Sequence, residues 1–135
     1  MSRLLSFMVI VMAATPVLAA DNVAVHRGDD STLFGNCVPS LKVENKSDQT
    51  IDYLQVDLAL SLTNGERRMV ELKSAYREGV LLPIAPGATA TLKQQLDLSL
   101  PTGVPCSQIQ ARRVVRTLCE TAGGKPCALT IQVDP

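Results

Sequence analysis

The chain has 135 residues, with 13 basic and 13 acidic side chains, one His, four Cys and no Trp. That length allows one domain, and a balanced charge without a basic stretch or an acidic tail argues against nucleic acid as a partner. A single histidine removes most histidine-based metal and proton-relay chemistry, and 3% aromatics leave no stacking platform for bases or sugars.

Residues 1–20 read as an address. Arg3 supplies a short positive start, residues 4–14 form an apolar run of signal-peptide length, and Pro16 ends it. Val17 and Ala19 stand where a signal peptidase reads, which places the cut after Ala19, with Ala20 as the near alternative. The apolar run is shorter than the ~20 residues that a membrane span needs, so no stable membrane insertion is expected. The mature chain then has 116 residues (135 − 19), and the loss of Arg3 leaves 12 basic against 13 acidic side chains, a net charge of −1.

Cysteine usage agrees with export to the periplasm or beyond. Cys37, Cys106, Cys119 and Cys127 all lie in the mature part and are even in number, which reads as two disulfides in an oxidising compartment. No pair has the short spacing of a zinc knuckle, so no metal is expected.

Residues 20–36 are polar and rich in Gly, Asp and Ser, and are expected to be a flexible lead-in with at most a short strand at residues 23–25. The domain proper is expected over residues 37–135. Leu41 and Val43 alternate with polar neighbours, a short strand with one wet face. Residues 45–49 are a turn by composition. Leu54, Val56, Leu58, Leu60 and Leu62 then occupy every second position, the pattern of a half-buried strand with Asp57 pointing to water.

Thr63-Asn64-Gly65 closes that strand. A two-residue Asn-Gly loop would set Leu58 and Leu60 opposite Glu71 and Met69, turning Val70 and Leu72 to water. A three-residue loop sets Leu58 opposite Val70 and Val56 opposite Leu72. The second register buries one apolar set and is expected, with Gly65 at the left-handed bulge position. Residues 67–76 fit a strand better than a helical stripe because a paired neighbour awaits them.

Residues 81–87 are a loop, since two Pro and a Gly allow little else. Ala88, Ala90, Leu92, Leu96 and Leu98 alternate as another strand, with Gln94 out of place on its apolar face. Residues 108–119 read two ways: a helix with Ser107 and Gln110 in capping-box spacing, or a strand forming a hairpin directly with the last strand around Ile131 and Val133. The strand is favoured. The Gly123-Gly124 turn then predicts the pairing Cys119–Cys127, which leaves Cys37–Cys106. The whole is expected to be an all-β, Ig-like antiparallel β-sandwich of six or seven strands with two disulfides.

Val43-Glu44-Asn45-Lys46-Ser47, followed by the long strand, Gly65, and Leu82 through Pro86-Gly87 before a late strand, resembles the small bacterial Ig-like sandwiches of the FxLYD type. The likeness covers about residues 37–98 and lacks the Phe/Leu-Tyr-Asp signature. It implies an architecture and no activity.

No residue pattern points to catalysis. His26 lies in the least structured part of the chain, with nothing near it resembling a nucleophile motif. Arg27-Gly28-Asp29 reads as an exposed, flexible turn, and Asn45-Lys46-Ser47 spells a glycosylation sequon but reads as turn chemistry. Arg112, Arg113 and Arg116, with Lys125 nearby, form the densest positive cluster and the candidate surface for docking an acidic partner. The expected function is that of a non-catalytic, cofactor-free module of the bacterial envelope or secretome. It would bind another envelope or secreted protein through a strand edge or loop, as an inhibitor, immunity protein or accessory subunit does. The competing expectation is a carrier holding a small apolar ligand between leucine-rich sheets.

Overall fold

The computed structural model describes residues 22–74, 76–77, 80–94 and 102–135. The leader expected over residues 1–19 and the far end of the strand expected through Leu98 lie outside the described residues.

Twelve strands are present among the described residues, with no α-helix. They are β1 (Asn22–Arg27), β2 (Ser31–Leu33), β3 (Asn36–Val38), β4 (Ser40–Asn45), β5 (Ile51–Leu62) and β6 (Arg67–Lys73), followed by β7 (Tyr76–Arg77), β8 (Val80–Leu81), β9 (Thr89–Lys93), β10 (Ile109–Thr121), β11 (Lys125–Pro126) and β12 (Thr130–Asp134). Eight of them form one curled sheet in the order β11-β10-β5-β6-β9-β4-β1-β12. The sheet is nearly cut in two, since β6 and β9 meet at the single pair Lys73–Lys93. The resulting four-stranded halves share one core. Val23, Val25, Leu41, Val43 and Leu92 from one half pack with Leu54, Val56, Leu58, Leu60, Val70 and Leu72 from the other. The sandwich-like all-β architecture is therefore as expected, with more strands than six or seven.

The β5–β6 hairpin has the three-residue register. Leu58 faces Val70 and Val56 faces Leu72, the Leu62 N–H donates to Glu66 O at 2.8 Å, and Gly65 takes φ +86°. This register puts Leu58, Leu60, Val70 and Leu72 on the core side together and leaves Met69 on the outer face, opposite Ala59.

Three expectations are corrected. The short strand allowed at residues 23–25 is present but runs over residues 22–27 and is no flexible lead-in: β1 lies between β4 and β12, with Val23 and Val25 in the core. β10 does not form a hairpin with the last strand. It pairs briefly with β11 at Glu120–Pro126 and Thr121–Lys125, and β12 runs to the opposite edge, parallel to β1. Asp57 does not point to water. It lies on the outer face of β5, yet is only 6% exposed. There Gln55 Nε2 donates to its Oδ1 at 2.7 Å and Arg116 Nε to its Oδ2 at 2.9 Å. A central strand buries its outer side chains between those of both neighbours, and alternation alone does not report that.

Asn45, with Ser47 bonded to it, meets the loop of residues 84–87. Asn45 is fully buried, and its Nδ2 donates to Gln49 O at 2.7 Å and to Ile84 O at 3.0 Å. Its Oδ1 accepts from the Ser47 N–H and hydroxyl, and the Gly87 N–H donates to Asn45 O at 2.7 Å. Asn45 is thus the knot of two loops, with no room for a glycan.

Candidate interaction site

β2 and β3 stand apart from the main sheet as a small hairpin, paired Ser31–Val38, Thr32–Cys37 and Leu33–Asn36. Two residues close it, Phe34 at φ +50° and Gly35 at φ +76°. Positive φ at both central positions is the mirror-image turn whose twist suits a two-residue hairpin. Gly accepts that conformation freely, whereas a bulky side chain at positive φ is an outlier. Phe34 is also 86% exposed, the most exposed large apolar residue described.

The base of this hairpin is fastened at several points. Cys37 is bonded to Cys106, with their Cα atoms 4.6 Å apart. The Cys37 N–H donates to Val104 O at 2.7 Å, and the Thr102 hydroxyl donates to Cys37 O at 3.0 Å. At the tip, Asn36 Nδ2 donates to Phe34 O at 3.1 Å.

Below β2 lies an ion-pair cluster. Arg112 grips Asp30 with both terminal nitrogens, Nη1 reaching Oδ1 at 3.1 Å and Nη2 holding Oδ2. Arg27 Nη2 adds a bond to Asp30 Oδ2 at 2.8 Å, and the Ser40 N–H donates to Oδ1 at 3.2 Å. The Asp30 and Arg112 side chains are 10% and 4% exposed. Burial alone pushes the Asp30 carboxyl up. The hydrogen bonds from Arg112, Arg27 and Ser40 and the Arg112 charge outweigh it and hold the carboxyl below its ordinary value.

Of the basic cluster read from the sequence, Arg112 is withdrawn from the surface, while Arg113 and Arg116 share the outer face of β10. Arg112 lies on the core side of β10, opposite Leu60, and is consumed by Asp30. Arg116 pairs with Asp57 on the outer face, where Arg113 stands opposite Ala59. Lys125 is exposed on β11. The β-bulge between Val114 and Arg116 is what puts Arg113 and Arg116 on the same face, opposite Ala59 and Asp57. Cys119 and Cys127 form the second disulfide, with Cα atoms 5.3 Å apart.

Asp30, Cys37 and Cys106 bring their oxygen and sulfur atoms within 4.8 Å of one another. Both sulfurs are in the disulfide, so the trio offers no thiolate to a metal. The Arg27-Gly28-Asp29 tripeptide is held rather than flexible. The Gly28 N–H donates to Ser40 O at 2.9 Å, and a Cβ on Gly28 would come within 2.5 Å of Ser40 Oγ.

No family model and no curated protein matches the chain. Among solved structures, IrmA from Escherichia coli is similar, with a TM-score of 0.49 and 14% sequence identity over 83% of this chain and 90% of that one.

The sequence did not single out Phe34. The one available signal was an aromatic before Gly in a polar stretch, which is also the spelling of an ordinary turn.

Proposed function

We propose that the protein is an exported, non-catalytic module that binds another protein through the Phe34 hairpin. The observation that carries this reading is an almost fully exposed phenylalanine held at positive φ on a fastened turn. Backbone strain persists where the surroundings enforce it, and such positions cluster at binding and switch sites. An aromatic ring at a preorganised tip offers a large apolar contact with little entropy left to lose. The partner's matching feature is an apolar socket for one aromatic ring. Two disulfides support an oxidising compartment, in line with the signal pattern read at residues 1–20. The apolar-carrier reading has less support, because the leucines that would line its pocket pack against one another in the core.

The test is affinity capture from the envelope and secreted fractions of the source cells with the wild type, Phe34→Ala and Phe34→Asn. A stoichiometric protein recovered by the wild type and lost with both folded variants is expected. Equal recovery by all three would overturn the reading. Phe34-dependent retention on phospholipid vesicles, with no protein captured, would replace it by a membrane contact.

A further inference from the structure

A groove of about 530 Å³ opens on the outer face of β1, β4 and β9. Register builds it: His26 stands opposite Lys42, and Lys42 opposite Thr91, with Lys93 two residues further along β9. Lys42 and Lys93 are therefore diagonal neighbours on adjoining strands, a distance at which long side chains interact. Neither makes an ion pair among the described residues, whereas Lys46, Arg68 and Lys73 each reach a carboxylate two residues away on the same stretch of chain. Arg27 lines the groove but is tied to Asp30. Asp29 forms the acidic part of the wall, and Asp134 lies opposite His26 on β12.

Unpaired like charges side by side on a sheet repel and cost stability. An anionic group between them reduces that cost. The groove is far larger than a bare ion needs and falls in the size range of small-molecule sites. We propose that it binds a small organic ester carrying a phosphoryl or sulfuryl group, whose oxygens are held by the Lys42 and Lys93 ammonium groups and the Thr91 hydroxyl. Three donors on neighbouring strands suit a tetrahedral group with three free oxygens better than a planar carboxylate. The ligand's remaining atoms lie along the groove toward His26.

The test is calorimetric titration at low ionic strength with glucose 6-phosphate and with glucose 6-sulfate. Saturable binding of at least one ester is expected, and the tighter one names the group recognised. Affinity should fall at least tenfold in the folded Lys42→Gln/Lys93→Gln variant, stay within threefold in Lys42→Arg/Lys93→Arg, and rise severalfold in Asp29→Asn. The Phe34→Ala variant should bind the esters as the wild type does, which separates this site from the hairpin. No saturable binding by either ester, or unchanged affinity in the double Gln variant, would overturn the proposal.

Discussion

Asp30 and Arg112, 82 residues apart in the chain, are joined by two hydrogen bonds between a carboxylate and a guanidinium that are both largely withdrawn from water. The pair ties the start of the β2–β3 hairpin to the first part of β10. With the Cys37–Cys106 bond it makes the hairpin a fixed projection rather than a loose loop.

Removal of one partner strands the other. Arg112→Met leaves Asp30 with only Arg27 and the Ser40 N–H, and should cost about 3 kcal/mol, in line with broken buried pairs. Asp30→Asn/Arg112→Met should be less destabilised than the sum of the single changes, because neither charge is then left buried alone. Urea melts of the four proteins measure the coupling.

The same carboxyl sets an acid dependence. Its folded pKa lies below its unfolded one. The stabilisation is therefore complete above the unfolded value of ~3.9 and fades as pH falls through the folded value. Asp30→Asn should be less stable than the wild type at neutral pH. The gap should narrow as pH drops below about 4. A gap that stayed constant with pH would contradict this account.

Leu58→Asp and Asp57→Leu should differ sharply. Leu58 is fully buried at the centre of the core, and an unpaired carboxylate there costs several kcal/mol at least, enough to unfold a domain of this size. Asp57→Leu leaves Gln55 and Arg116 without their acceptor. Arg116 is 56% exposed and can turn to water, so the loss should be about 1–2 kcal/mol. Thermal melts distinguish the two.

The two disulfides should contribute unequally. In the loop-entropy picture the Cys37–Cys106 bond, at a separation of 69 residues, is worth about 4 kcal/mol. The Cys119–Cys127 bond, at a separation of 8, is worth about 2.5 kcal/mol. Paired Cys→Ala variants report the difference. Loss of the first bond should also raise hydrogen exchange in β2 and β3 while leaving β5 protected.

Phe34→Asn should raise stability, because Asn accepts positive φ far more readily than Phe. The expected gain is up to about 1 kcal/mol. A gain in melting temperature accompanied by loss of partner capture would show that this residue is kept for contact at the expense of stability.

The sequence alone determined what depends on neighbours along the chain. Five apolar residues at alternate positions specified β5. The cost of turning Val70 and Leu72 to water selected the three-residue loop at Gly65. A glycine pair between Cys119 and Cys127 selected their pairing and, by subtraction, the other. Each of these follows from the two-residue period of a strand or from short loop closure, both of which are local. Tertiary structure decided the rest. Val23 and Val25 allowed a short strand inside a polar lead-in, and only the place of β1 between β4 and β12 makes them core residues. The last strand went to the far edge, parallel to β1, a choice set by which edge remained open to it. Asp57 and Arg112 looked like surface charges, but one is covered by its strand's neighbours and the other meets an acid from a distant segment. Phe34 became exceptional only once its hairpin was fastened by a disulfide to a loop 69 residues away. Such meetings leave no periodic trace in the chain, because they depend on which surfaces remain after the sheet has formed.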